Sequence, residues 1–284
     1  MAIKLITDGS CDLPHDIFEK YDIEVVSLTV SFGDRHFKTG TEIDSQTFYR
    51  MMREEEDFPR SASPSPQDFL DVFNKTAPED EILVLALSNA LSSTYDSSMM
   101  ARQMFLDEHG GRRVEVFNTN SASAGLALLV YETALEIEDG LGMDAIVASV
   151  EERIDDTNTA FVLDTLENVI KGGRLDRVRG AIAKTLNIKL LMRANEAGEL
   201  DVTEKVRGNK KAMRRFVEQI GEYGKNFEKK VLALAHSNCE EKARAIVEEI
   251  QKQYNFKEVI ISEIGPLIGT YAGEGGLVIG YRKK

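Results

Sequence analysis

Cysteine is scarce: Cys11 and Cys239 are the only two in 284 residues, far apart and outside any Cys-x-x-Cys pair. That spacing rules out a disulfide framework or a paired-thiolate metal site, and a reducing, cytoplasmic setting is expected. Histidine is equally sparse, with only His15, His36, His109 and His236. A multi-histidine metal centre is therefore not expected. The longest nearly apolar stretch, residues 124–131, falls far short of the roughly 20 residues needed to cross a bilayer, so the chain is not expected to be membrane-embedded. The opening MAIKLITDGS lacks the long apolar core of a secretory leader. Standard catalytic signatures are missing too. There is no Gly-x4-Gly-Lys-Ser/Thr loop and no His-Glu-x-x-His, and the glycines of 273–276 precede a predicted strand without completing Gly-x-Gly-x-x-Gly.

What is present is a globular composition, 42% apolar and 29% charged, long enough for two domains. The net charge of −13 argues against an extended nucleic-acid or anionic-membrane surface. The charge is uneven, because residues 171–215 hold 13 Lys/Arg against 5 Asp/Glu. Such an island suits a small anionic ligand or an acidic partner; solvated helix faces are the other reading.

Strand-like runs alternate with helical patterns. Strands are predicted over 3–7, 24–32, 82–87 and 114–117, with helices over 14–21, 44–53, 67–75, from after Tyr95 to about 108, and 120–138 between and after them. The continuous apolar run 82–87 marks a strand covered on both faces, and the β–α alternation implies a parallel sheet. A further helix, 144–154, leads to the polar stretch 155–159, where a domain boundary is placed. The second half reads differently. A strand over 160–163 and a helix ending at the Gly172-Gly173 turn precede strands 188–192 and 200–205, which flank a hairpin turn at 195–198. Two amphipathic helices follow, marked by Met213, Phe216, Val217, Ile220 and by Ala243, Ile246, Val247, Ile250. Strands over 231–235, 259–262 and 277–281 complete a mixed sheet. The expected fold is α/β in two domains: 1–157 around a mainly parallel sheet, and 158–284 with a mixed sheet and hairpin.

The chemistry-bearing residues are hydroxyls at strand ends. Ser92, Ser93 and Thr94 stand where a strand passes into a helix, the place that caps a helix or receives an anion. Ser61, Ser63 and Ser65 lie in Pro59-Arg-Ser-Ala-Ser-Pro-Ser-Pro66, which three prolines exclude from helix and central strand. They are either turn residues or hydroxyls held in place by the prolines. Lys171-Gly-Gly-Arg174 and Lys205-Val-Arg-Gly-Asn-Lys-Lys211 offer glycines for close approach and arginines able to grip an anion with two hydrogen bonds. A catalytic reading of the same residues, as a serine-dependent hydrolase or phosphotransfer enzyme acting on a small anionic substrate, takes Ser92 or Ser93 as nucleophile and needs a base. His236, at the end of a predicted strand, is the candidate.

Five segments in order resemble the DegV family of bacterial fatty-acid-binding proteins. They are Thr7-Asp-Gly-Ser-Cys-Asp-Leu13, the proline-rich loop, Leu91-Ser-Ser-Thr-Tyr95, Leu166 to Leu175 ending Lys-Gly-Gly-Arg-Leu, and Lys205 to Ala212; Gly265-Pro-Leu-Ile-Gly269 extends the match almost to the end. The resemblance implies a non-catalytic lipid carrier without cofactor. Ser61 and Ser92, with Ser93 beside them, would hold the carboxylate of a long-chain acid such as palmitate or oleate. A kinase subunit would phosphorylate it for phospholipid synthesis, with Arg174, Arg207 and Tyr271 near the phosphate or the partner. Ser93 replaces a family glycine, and Ala62-Ser63 a Ser-Gln pair. Tyr271 stands where the family often has histidine, and Glu274 adds an acid nearby. A monomer is expected.

Overall fold

The computed structural model describes residues 2–175 and 188–284. In chain order the first half runs β1 (Ile3–Asp8), α1 (His15–Lys20), β2 (Glu24–Val26), β3 (Thr29–Phe32), β4 (Arg35–Lys38), α2 (Ser45–Glu54), β5 (Arg60–Ala62), α3 (Pro66–Phe73), β6 (Glu81–Ala86), α4 (Thr94–Glu108), β7 (Val114–Asn118), α5 (Ser123–Glu138) and α6 (Met143–Asp156). The second half runs β8 (Thr157–Val162), α7 (Glu167–Lys171), β9 (Ile188–Ala194), β10 (Leu200–Arg207), α8 (Asn209–Tyr223), β11 (Val231–His236), α9 (Glu240–Tyr254), β12 (Glu258–Glu263), α10 (Pro266–Ala272) and β13 (Leu277–Arg282).

The described residues form three sheets. One is wholly parallel with order β2-β1-β6-β7, and the apolar run of β6 is buried in its interior. The second is mixed, with order β10-β9-β8-β13-β11-β12, and only β11 and β12 run parallel. The third is a small antiparallel sheet, β4-β3-β5. Helix α5 lies between the first two and is buried through most of its length. Its approach to β13 is so close that a Cβ on Gly280 would sit 2.5 Å from the Ala124 carbonyl oxygen. Glycine is what allows a helix to rest that near a strand.

One expectation needs correction. The run 24–32 is two strands in two different sheets, parted at Ser27 and Leu28. The chain turns away there because the Thr39 carbonyl takes the Ser27 hydroxyl and Thr39 Oγ1 takes the Leu28 N–H, at 2.8 and 3.2 Å. The polar stretch 155–159, where the domain boundary is placed, ends α6 and begins β8, and two of its side chains are buried partners: Asp156 holds Arg282 Nε at 3.0 Å and the Lys284 N–H at 2.8 Å, and Asn158 donates to the Tyr281 hydroxyl at 2.7 Å. Much of the basic island is paired. Arg215 is clasped by Glu204, Glu218 and Glu222, and Lys189 meets Asp164. Arg177, Arg179 and Lys184 of that island lie outside the described residues. Among the described residues, no helix is long and apolar enough to cross a membrane.

Candidate functional site

A cavity opens beyond the carboxyl end of β6, the usual ligand position of a parallel α/β sheet. It is walled on one side by the turn after β6 and by residues 121–123 before α5. The other wall comes from β8, β13, α10 and the β9–β10 hairpin turn. The space that water centres could occupy is about 110 Å³, several times the ~10–15 Å³ that holds one water. Its lining is mainly aliphatic and aromatic, including Leu87, Phe161, Leu163, Val169, Leu267 and Val278. Among the described residues that line it there is no histidine, aspartate or glutamate; Arg174 is the charged one.

Ser61, Ser92 and Tyr271 bring hydroxyls to one end of the cavity; Ser121, Ser123 and Thr159 also line it. Ser61 sits on β5, paired with Val30 of β3, and Pro59 and Pro64 are buried on either side. That edge position suits a proline-flanked segment, which cannot enter a sheet interior. The Ser61 hydroxyl lies 2.5 Å from the phenol oxygen of Tyr271, so β5 meets α10 at the site. Ser92 follows a tight turn in which the Ser88 carbonyl accepts the Leu91 and Ser92 N–H groups. Its hydroxyl lies 2.8 Å from Ser63 and 2.9 Å from Thr94, and Ser93 donates to Ser63 at 3.0 Å. Ser93 occupies the N-cap position of α4 without a side-chain capping bond, so its hydroxyl is turned to the cluster. Ser65, by contrast, caps α3 in a reciprocal box with Asp68, as a turn-residue reading expects.

Arg174 reaches the same end. Its guanidinium lies 4.9 Å from the Tyr271 ring centre, while Nε and Nη1 donate to the carbonyls of Leu91 and Gly172 at 3.2 and 2.7 Å. Glu274 does not place an unbalanced charge here, since Arg53 and Asn238 hold its carboxylate. Arg207 does not join the group. It is exposed at the last position of β10, opposite Ile188, at the end of the hairpin away from the cavity-lining turn. His236 also lies elsewhere, in a separate polar cleft with Arg53, Asn238 and Arg244. Burial holds its imidazole below the usual range, although Glu240 opposes this, and Nδ1 accepts the Cys239 N–H. The base that a serine nucleophile would need is thus not supplied by His236.

Ser63, named with Ser61 and Ser65 as either a turn residue or a held hydroxyl, stands in the hydroxyl cluster. Two features escaped the sequence. Helix α10, carrying Tyr271, was signalled only by Pro266 at its first turn. Asp12 is fully buried and accepts hydrogen bonds from the Ser123 hydroxyl at 2.5 Å and the Gly265 N–H at 2.8 Å, tying α5 to the loop before α10. Burial pushes its carboxyl up to about 7, against the downward pull of those two donors.

The comparisons agree with this architecture. The model of the DegV family, described as "Uncharacterised protein, DegV family", matches residues 2–284. A DegV domain-containing protein of Caldanaerobacter subterraneus subsp. tengcongensis is 32% identical over 283 residues, 99% of each chain. A DegV family protein from Ruminococcus gnavus, solved with vaccenic acid, superposes with a TM-score of 0.92 at 28% identity over 99% of both chains. The Streptococcus pneumoniae fatty acid kinase B3 protein, loaded with linoleic acid, superposes with a TM-score of 0.89 at 26% identity over the whole of both chains. From its α/β fold to its ordered motifs, the chain belongs to the DegV family.

Proposed function

We propose that this protein binds a long-chain fatty acid, with the tail in the apolar cavity and the carboxylate on the hydroxyls of Ser61 and Ser92, with Ser93 beside them. The observation that carries the reading is the cavity's lining: mainly aliphatic and aromatic walls, with no acidic side chain and a single arginine, Arg174, among the described residues, and with Ser61, Ser92, Tyr271 and that arginine brought close to one another. A tail of about fourteen methylenes, at about 0.8 kcal/mol each, brings roughly 11 kcal/mol of gross transfer energy. Part of this offsets lost ligand freedom. The tail therefore supplies affinity, and the hydroxyls orient the head. Neutral donors leave the carboxylate nucleophilic, which suits a carrier that presents it to a fatty acid kinase for acyl-phosphate formation and performs no catalysis itself. Arg174 and Tyr271 stand where a transferred phosphoryl group or the kinase would meet the head. Residues 1–157 supply the serines, and residues 158–284 supply Arg174, Tyr271 and much of the apolar wall. The fatty acids held by the Ruminococcus and Streptococcus proteins support the ligand class.

Equilibrium titration with palmitate and oleate tests the binding claim: Ser61→Ala and Ser92→Ala should each weaken affinity by roughly 2–10-fold, the worth of one hydrogen bond. Unchanged affinity in both would refute the head-group assignment. For the kinase step, the loaded protein is mixed with ATP and a bacterial fatty acid kinase catalytic subunit. Acyl phosphate trapped as its hydroxamate is the expected product; ADP release no faster than from the kinase alone would leave a carrier without kinase coupling.

A further inference from the structure

We infer that the polar cleft around His236 binds a free α-amino acid, with its carboxylate on the first turn of α9 and its ammonium on Glu263. The cleft lies beyond the carboxyl ends of β11 and β12, the parallel pair of the mixed sheet. Parallel strands leave a crevice for a ligand at that end. The facing wall is α2, which presents Gln46 and Arg53 two turns apart on one face. Water centres could occupy about 570 Å³ of the cleft, ample for a molecule of this size. Among the described residues none lines both this cleft and the apolar cavity, so the inference is independent of the fatty-acid reading.

The carboxylate half consists of donors that lack acceptors. No side chain caps α9, and among the described residues the N–H groups of Glu240, Glu241 and Lys242 meet no acceptor. An uncapped helix start offers an oxyanion these amides together with a partial positive charge. His236 adds a second, independent donor. The residue is only 7% exposed, burial holds its imidazole uncharged, and Nδ1 accepts the Cys239 N–H. The ring proton therefore sits on Nε2, which has no partner among the described residues, and the ring lines the cleft. A nearly buried donor in that position calls for an acceptor from outside.

The ammonium half is an acid that lacks a base. Glu263 is the register partner of His236, so the two stand side by side across one strand spacing of about 4.8 Å. Among the described residues its carboxylate has no ion pair or hydrogen bond; burial raises its pKa, and Asp44 and Glu240 add to the rise. An α-amino acid carries its two charges one carbon apart, which matches a donor set and a lone carboxylate on neighbouring strands. Charge balance disfavours a simple anion. Arg53 is already held by Glu274 and Arg244 by Glu240. With both arginines paired and Glu263 unpaired, the cleft lacks the positive field that would draw in a phosphate. A ligand that brings its own cation satisfies both halves.

The test uses the full chain, isotopically labelled for NMR, and pools of the common L-amino acids. At least one pool is expected to shift the amide resonances of Glu240, Glu241 and Lys242 together with the His236 ring signal. Acetate, methylamine and inorganic phosphate at the same concentration, each carrying only half of the recognised chemistry, are expected to leave them in place. Glu263→Gln keeps the shape and removes the charge, and should weaken binding of the active amino acid roughly 10–100-fold, the worth of a hydrogen bond to a charged group. His236→Gln should weaken it as well, and dispersed amide spectra would show that both variants are folded. If no pool moves these resonances, the site is refuted. Phosphate moving them as far as the amino acid does would mean an anion site alone and would overturn the proposal. So would unchanged affinity in folded Glu263→Gln.

Discussion

The carboxylate of Asp12 and the backbone N–H of Gly265 meet at 2.8 Å across 253 residues of sequence. The same side chain takes the Ser123 hydroxyl, and the Asp12 carbonyl takes the Ser262 hydroxyl at 2.6 Å. One buried residue therefore fixes the start of α5 and the loop that launches α10, two walls of the cavity. Because burial raises its carboxyl to about 7, the folded protein holds this proton more tightly than the unfolded chain, whose aspartates ionise near 3.9. Stability from this group is thus complete below pH ~4 and is lost as pH rises toward 7. Asp8 and Glu263, also raised by burial, contribute in the same sense. Denaturant melts at pH 4.5 and 7.5 should show a fall that Asp12→Asn reduces, since asparagine keeps an acceptor for Gly265. An unaltered pH dependence in the variant would refute the assignment.

The β9–β10 hairpin turn is docked on the first half of the chain. Gly198 has φ +75°, its carbonyl accepts the Ser88 hydroxyl at 3.0 Å, and a Cβ there would lie 2.2 Å from that hydroxyl oxygen. Gly198→Ala should therefore cost about 1–3 kcal/mol, seen as a melting point lower by several degrees. Adding Ser88→Gly removes the worst contact but leaves the Asn120 Cα at 2.9 Å and the left-handed strain, so it should restore only part of the loss. A Gly198→Ala protein as stable as wild type would show that the turn is not held this way.

Phe161 and Val278 are register partners on β8 and β13, and both line the cavity. Val278→Phe places a second ring where tail methylenes are proposed to lie. Overpacking should cost about 1–3 kcal/mol, and affinity should fall more for palmitate than for dodecanoate. Equal losses for the two acids would mean that this part of the cavity does not hold the far end of the chain.

Much of the fold could be read without coordinates because local signals matched the tertiary outcome. The apolar run 82–87 did become an interior parallel strand, Asn195 to Gly198 did close a hairpin, and Phe216, Val217 and Ile220 did face a core. Strand 24–32 was misjudged because its composition is continuous, whereas the break is made by Thr39, which is distant in sequence. In the polar run 155–159 the burial of Asp156 and Asn158 could not be read from local pattern, because their partners lie up to 128 residues away. At the site, Ser61, Ser92, Ser93, Arg174 and Tyr271 were legible through ordered motifs, and the structure gathers them. Arg207 carried the same kind of signal and stands apart. The walls were illegible in principle, since Leu163, Val169 and Leu267 serve a cavity and a core with the same chemistry.

Mass spectrometry of the protein purified from a bacterial host, in native form and after organic extraction, tests the central claim most directly. The account predicts one long-chain fatty acid per chain, absent from the Ser61→Ala/Ser92→Ala double variant while that variant remains folded. A protein that emerges without lipid and takes up neither palmitate nor oleate would contradict it.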